Sequence, residues 1–383
     1  MEDGRRGKKY LECLGAFGKN EKQCKIGVVM DKKQKSLLIF ENISIRDAMR
    51  QMSQVGERVL FVVNQKNQLL GSISAGDTRR WILANGSLKE KIEKAYNKNP
   101  IFVEKGFNPD TVKQIMLKEK IEGIPVVDSN RVVIEVLFWM NVFGREISIP
   151  KGKINIPVVI MAGGKGTRLD PFTKVLPKPL IPIADKTIIE IIMDKFVQYG
   201  VKELYLSINH KSRMIKAYFE EVPSHYKIRY LEENKPLGTA GSLRLLKDIS
   251  GDSLLVSNCD IIIESDYHEI VEFHKAKEND ITVVGSFRHF TIPYGICYIQ
   301  NGGNLIDIQE KPEYDYLVNT GMYVLQKEVL RHIPKNKIFN MTDLIKCVKS
   351  ENGKVGVFPI DEKSWIDIGE WEEYRRAIRL FDR

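Results

Sequence analysis

From Ile156 to the C-terminus, short buried-strand runs alternate with amphipathic helical segments, and few folds accommodate that order. PVVIMAGG, from Pro157, is an apolar run that enters a glycine turn. TIIEIIMDKFVQYG, from Thr187, repeats apolar residues at helical spacing and stops at Gly200. ELYLSIN, from Glu203, is a second strand, and SRMIKAYFEE, from Ser212, a second helix. KIRYLEE, from Lys227, and SLLVSNCD, from Ser253, are two more strands, separated by a predicted helix over GTAGSLRLLKDI. Repeated strand–helix units predict an α/β fold with a doubly wound, mainly parallel, Rossmann-like sheet. Ligands of such sheets bind outside the carboxyl ends of the strands, where the polar motifs of this block fall.

The 383 residues suit two or three domains. No apolar stretch approaches the roughly 20 residues of a membrane span, and the start has no apolar core of signal-peptide type. The five cysteines are odd in number and include no C-x-x-C pair, so neither a disulfide framework nor a structural zinc site is expected, and a cytoplasmic location fits. The formal net charge is +9, of which residues 1–35 carry +5, with ten Lys/Arg against five Asp/Glu. Residues 1–33 are therefore expected to be a basic, solvated, disordered arm. Met30 opens MDKKQKSLL just before the first regular pattern, so residues 1–29 are expected to be dispensable or to come from an upstream start.

A weak internal repeat occupies residues 34–146. SIRDAMRQMSQVGERVLFVVN starts at Ser44 and NPDTVKQIMLKEKIEGIPVVD at Asn108. Met52 matches Met116 and Val62-Val63 matches Val126-Val127, an offset of 64. Each copy reads as an amphipathic helix and a buried strand, an α+β unit that buries a face shared with its twin. The first copy continues LLGSISAGDTRRWI, and its G-x-I-S-x-x-D order resembles cystathionine-β-synthase-type (CBS) domains. That resemblance implies Ser74 and Asp77 as ribose ligands, for adenine or another nucleotide. The second copy lacks the glycine and aspartate, so a second nucleotide site is not expected there. A structural pair that packs on the neighbouring domain or makes a homo-oligomer remains the alternative. Residues 147–156, with Pro150 and Gly152, read as a linker to a domain over 157–383.

The sharpest motif is MAGGKGTRLDPFTKVLPKPLIPI, from Met161. Glycines at 163, 164 and 166 permit a tight turn that aims backbone N–H groups at an anion. Arg168 and Lys178 add fixed positive charge. The string fails the P-loop pattern, because the sixth residue from Gly163 is Arg168, and fails G-x-G-x-x-G, because Leu169 stands last. G-G-x-G-T-R-L-x-P-x-T followed by P-K-P-L resembles the sugar-1-phosphate nucleotidyltransferases. The resemblance implies that Ala162, Gly163, Gly164, Gly166 and Thr167 hold a nucleoside triphosphate. It makes Arg168 and Lys178 the catalytic cations.

By the same resemblance Asp260, after a buried strand, and Asp367, in W-x-D-x-G, hold Mg²⁺. Taken separately each is more commonly a turn or cap residue. Cys259 stands where relatives have glycine. YLEENKPLGTAGSL, from Tyr230, matches the base-and-sugar segment, with Gly238 and Thr239 opening a helix whose amides could face a ligand. Glu233 stands where thymidine and uridine users have Gln. A carboxylate only accepts, which suits the adjacent N1–H and N2–H₂ of guanine, so GTP is expected. Glu233 in solvent is the alternative. Gly295, Glu310, Lys311, Asn319 and Thr320 match the sugar pocket. A CBS pair ahead of a transferase also resembles a bacterial subgroup associated with GDP-glucosamine in legionaminic acid pathways, so glucosamine 1-phosphate is the expected acceptor. Mannose 1-phosphate and glucose 1-phosphate stay open, as does a non-catalytic sensor of nucleotide sugars. Neither nucleic acid nor membrane is expected as a partner, since the charge lies in the arm and no known module appears.

Overall fold

The computed structural model describes residues 30–143, 151–222, 226–247 and 249–381. Residues 1–29 of the expected arm and 147–150 of the expected linker lie outside the described residues.

The two N-terminal copies have the same build. The first contains β1 (Leu38–Phe40), α1 (Ile45–Val55), β2 (Val59–Val63), β3 (Leu69–Ser74) and α2 (Ala75–Leu83). The second contains β4 (Val103–Glu104), α3 (Pro109–Glu119), β5 (Gly123–Val127), β6 (Val133–Phe138) and α4 (Trp139–Phe143). Each forms a three-stranded sheet, ordered β1-β2-β3 and β4-β5-β6. Ser44 caps α1 by accepting the Asp47 N–H, and Gly56 ends it at φ +81°. One helical face buries Ile45, Ala48 and Met52. Val127, Val133 and Val136 of the second copy complete the core of the first, so the pair buries a common face. Met30 is buried there too, so packing begins ahead of residue 34.

The second block is built on a seven-stranded sheet. Its strands are β7 (Val158–Met161), β8 (Glu203–Ile208), β9 (Lys227–Glu232), β10 (Ser253–Asn258), β12 (Ile281–Thr291), β15 (Glu313–Gln326) and β16 (Val355–Ile360). The order is β9-β8-β7-β10-β15-β12-β16, and only β15 runs against the rest. Val158 and Ile160 of β7 face one core and Val159 the other, the period of two expected of a strand covered on both faces. Helix α5 (Ile188–Val197) covers one face, its start fixed by a Thr187–Glu190 capping box and its buried side led by Ile188, Ile192 and Phe196. Helix α6 (Ser212–Glu221) follows β8. The sheet grows from β7 to β8 on one side and to β10 on the other, so the crevice lies beyond the carboxyl ends of β7 and β10. The helix expected over GTAGSLRLLKDI is two short turns, Gly238–Gly241 and Ser242–Leu245, because Leu237 and Gly238 must meet residues 339–340.

Four further elements complete the block: β11 (Ile261–Ile263), α7 (Tyr267–Ala276), the hairpin β13 (Ile296–Gln300) with β14 (Asn304–Gln309), and α8 (Met341–Ser350). The halves touch where Arg79 of α2 meets Glu269 at 2.7 Å and covers the Phe358 ring at 4.7 Å. No helix among the described residues is long and apolar enough to cross a membrane.

His274 of α7 is fully buried, with Nδ1 2.9 Å from Thr282 Oγ1 and Nε2 unpartnered. Burial pushes its pKa down from 6.5 to about 4. A depressed folded-state pKa contributes stability that is complete above the unfolded value and is lost as pH falls toward the folded one. The urea midpoint should fall between pH 6.5 and 4.5, the full effect being about 3 kcal/mol, and His274→Gln should remove that component.

Candidate active site

The glycine loop leaves β7 held at its root. The Ala162 N–H donates to the Ser207 carbonyl at 2.8 Å, and the Gly163 carbonyl accepts the His210 N–H at 3.4 Å. Gly164 has open space where a side chain would stand. Gly166 sits at φ +67°, and a Cβ there would lie 2.8 Å from Lys178 Cβ. Both facts require glycine. Thr167–Leu169 form a single 3-10 turn that buries Leu169 and exposes Arg168.

Lys178 is 6% exposed, and its Nζ lies 2.5 Å from Asp260 Oδ2. Asp260 follows β10, whose Asn258 pairs with Met161, so the carboxylate and the glycine loop leave the sheet at one level. Strand β17 (Trp365–Asp367) pairs with β11, with Ile261 opposite Asp367. The Asp260 carbonyl accepts the Ile368 N–H at 2.7 Å. Two residues 107 apart in sequence are thereby neighbours. Arg168 reaches Glu370 Oε1 at 3.2 Å and lies 3.9 Å from Asp260 Oδ2. Burial, and then the nearby Asp260 charge, hold the Asp367 carboxyl above the usual carboxylate range. Burial also pushes the Cys259 thiol up to about 12, so it fills space as a neutral group.

A family model described as nucleotidyl transferase matches residues 157–382. The chain belongs to that family. A CBS domain model matches residues 28–84. The transferase half is similar to the bifunctional protein GlmU of Methanocaldococcus jannaschii, 34% identical over 233 residues, covering 59% of this chain and 54% of that one. It is 30% identical over 232 residues to the probable mannose-1-phosphate guanylyltransferase 1 of Oryza sativa subsp. japonica, covering 58% and 64%. It is 28% identical over 244 residues to the UTP–glucose-1-phosphate uridylyltransferase of Synechocystis sp., covering 58% and 62%. The chain thus spans 54% to 64% of the length of these curated relatives.

The other expected site residues divide. Glu233 does not point away into solvent. Its Oε1 accepts the Ser207 hydroxyl at 2.7 Å, its Oε2 accepts the Leu237 N–H at 2.9 Å, and it stands beside Gly163. Gly238 and Thr239 do not offer a row of free amides. The Thr239 N–H meets Asn340 Oδ1 at 3.3 Å, and the Ala240 and Gly241 amides both reach the Phe339 carbonyl at 3.0 Å. Gly295 and Glu310 meet, since a Cβ on Gly295 would lie 2.8 Å from Glu310 Oε2. Lys311 is exposed, at φ +41°. Asn319 is exposed and donates to the Tyr323 hydroxyl at 2.7 Å. Thr320 is 2% exposed, and its hydroxyl donates to the Val284 carbonyl at 2.8 Å inside the sheet.

Ser74 and Asp77 form a capping box at the start of α2, with Asp77 Oδ1 also on Arg80 at 2.5 Å. They line a cavity of about 610 Å³ between the halves, shared with Lys151, Glu264 and Asp266. Sequence reasoning missed Glu370, one residue past D-x-G, although it pairs with Arg168. It also missed Lys211, whose ammonium donates to the Thr173 and Lys174 carbonyls at 2.9 and 2.7 Å. Only the sheet order brings Lys211 to the loop.

Gly166→Ala puts a Cβ against Lys178 in a left-handed conformation. It should cost about 1–3 kcal/mol, read as a lower urea midpoint, whereas Gly164→Ala, with open space, should leave the midpoint nearly unchanged.

Proposed function

We propose that the protein transfers a nucleotidyl group from a nucleoside triphosphate to a sugar 1-phosphate, forming a nucleotide sugar and pyrophosphate. The observation that carries this reading is the convergence of the glycine loop, Lys178, Arg168, Asp260 and Asp367 beyond β7 and β10. The named relatives include guanylyl- and uridylyltransferases acting on sugar 1-phosphates. A sugar phosphate oxygen attacks the α-phosphorus and forms the new P–O bond. The bond to the β-phosphate oxygen breaks, and pyrophosphate leaves with the electron pair. No protein nucleophile is needed. Amides of the loop cradle the phosphates, and Lys178 and Arg168 lower the repulsion between two anions.

Asp260 and Asp367 would hold a magnesium ion. The fit is good: two adjacent carboxylates offer hard oxygen ligands, and Asp367 is kept reluctant to ionise by burial and then by the Asp260 charge, which a cation would relieve. Magnesium takes one or two carboxylates and completes its shell with water and phosphate. When bound, it supplies charge neutralisation at the phosphates.

The finer reading is GTP and glucosamine 1-phosphate. Each Glu233 oxygen takes one protein donor and keeps a lone pair for guanine N1–H and N2–H₂. Glu310 offers an exposed carboxylate that suits the ammonium of an amino sugar, and Lys311 an ammonium for its phosphate. A place in legionaminic acid assembly rests on the CBS-plus-transferase arrangement alone. An effector nucleotide at the CBS pair would have to draw Asp77 from its cap and from Arg80.

Pyrophosphate release with Mg²⁺ should be fastest with GTP and glucosamine 1-phosphate among the common triphosphates and hexosamine or hexose phosphates. No turnover with any pair removes the reaction. Glu233→Gln should lower kcat/KM for GTP by about tenfold or more relative to UTP. Asp367→Asn should cut kcat by roughly 100-fold or more with little loss of stability. Asp260→Asn also strips the buried Lys178 of its partner and should cost about 3–5 kcal/mol. Because the Asp367 carboxyl is held high, protons compete there as pH falls. The Mg²⁺ concentration for half-maximal rate should therefore rise as pH falls toward the carboxylate range, and should do so at a higher pH than an ordinary aspartate would allow.

A further inference from the structure

Strands β12 and β15 leave the main sheet together. The β12–β16 ladder ends at Ser286, whereas β12 and β15 stay paired to Thr291 and Glu313. A two-stranded ribbon is marginal by itself in water, so its aim depends on what fastens it. This ribbon leads directly to the sugar-side residues. The Ile292 N–H donates to the Pro312 carbonyl at 3.0 Å, and just beyond lie Gly295, Glu310 and Lys311.

Helix α1 of the CBS half lies on the ribbon and presents two arginines one turn apart. Arg50 Nη2 is 2.8 Å from Glu313 Oε2 and meets His289 at Nε2. Arg46 pairs with Asp315 and lies 3.9 Å from Glu313 Oε2. His289 Nδ1 is 2.8 Å from Asp315 Oδ1, directly across the ladder. The arginines therefore hold both strands of the ribbon. The side chains of Arg46 and Asp315 are only 22% and 14% exposed, which limits screening by water. An isolated exposed pair is worth about 0–1 kcal/mol, whereas a network of covered charges fixes geometry more firmly. The glycine loop is fastened differently, through Ser207, Asp260 and Glu370 of the transferase half.

We propose that Arg46 and Arg50 act as positioning residues for the ribbon that carries Gly295, Glu310 and Lys311, so that the CBS half governs sugar 1-phosphate binding and not nucleotide binding. The proposal rests on the sugar-side reading of Glu310 and Lys311 given above. It separates the two substrates by which half of the chain fastens the elements that carry their contacts.

The test uses the full chain with Arg46→Ala and Arg50→Ala combined. The KM for sugar 1-phosphate should rise about fivefold or more, while the KM for the triphosphate stays within about twofold. Arg50→Glu should be worse than the double alanine change, and Glu313→Arg added to it should recover much of the loss. Equal changes in both KM values, or no change in either, overturns the proposal. Hydrogen–deuterium exchange supplies a readout independent of turnover: amides of residues 294–312 should exchange faster in the double variant, and those of residues 162–168 should not. Unchanged exchange over 294–312 overturns the proposal even if the kinetics shift. If the wild-type chain turns over no substrate pair, the reaction reading fails and the exchange experiment still decides whether the arginines position the ribbon.

Discussion

The contact between Lys178 and Asp260 orders everything around it. An ammonium that is 6% exposed is costly to bury without a partner, so a carboxylate has to stand at the end of β10. The lysine stem in turn fills the space beneath Gly166, which excludes any side chain there and fixes the turn of the loop. The strand register places Asn258 beside Met161, so the loop and the carboxylate start from one level of the sheet. Loop shape, cation and carboxylate are one arrangement, set before a ligand arrives. A preformed cradle of amides and charge does not have to reorganise when an anionic ligand arrives.

The charges in this arrangement do not cancel. Lys178 and Arg168 face Asp260, Asp367 and Glu370, and the Asp367 carboxyl is held above its usual range by burial first and by the Asp260 charge second. Arg168, exposed and held only at 3.2 Å to Glu370 and 3.9 Å to Asp260, is the cation free to turn toward an incoming anion. Lys178 is not. The two positive groups that look alike in the motif therefore differ in setting, one a buried pillar of the fold and one an exposed arm.

Period and spacing made the sheet and the repeat legible. The helices α1 and α3, and the strands β2 and β5, recur at the offset of 64 that Met52 and Met116 had marked. The glycine loop was legible because a positive φ and a close approach leave few residue choices. The partnership of Asp260 with Asp367 came from resemblance, since nothing in their spacing announces the β11–β17 ladder. The amides after Gly238 and the hydroxyl of Thr320 have partners that the sequence did not announce, for a shared reason. A motif shows which groups exist and not which are already spent, and the spenders, Phe339, Asn340 and Val284, arrive from remote parts of the chain. Arg46 and Arg50 were invisible in the same way, because their partners Asp315 and Glu313 lie far along the chain.

The two CBS copies make the same distinction within one domain pair. Their sheets and helices superpose in sequence, yet the positions that bear chemistry differ. Gly71 of the first copy is crowded by Tyr96 and Asn97, where a Cβ would come within 2.5 Å of backbone oxygen, while the matching position of the second copy is Glu135, whose carboxyl burial pushes up. Ser74 and Asp77 have Phe138 and Asn141 as counterparts. Even in the first copy the chemistry is contested. Asp77 Oδ2 takes both the N–H and the hydroxyl of Ser74, and Oδ1 takes Arg80. A helix cap of this kind is worth about 1 kcal/mol, so a ribose that claimed the same carboxylate would have to exceed that and an ion pair as well. The pattern of apolar residues can be duplicated because any well-packed side chain satisfies it. A hydrogen-bonding group cannot serve a helix start and a ligand at full strength together, and that competition is written in atoms no periodicity reveals.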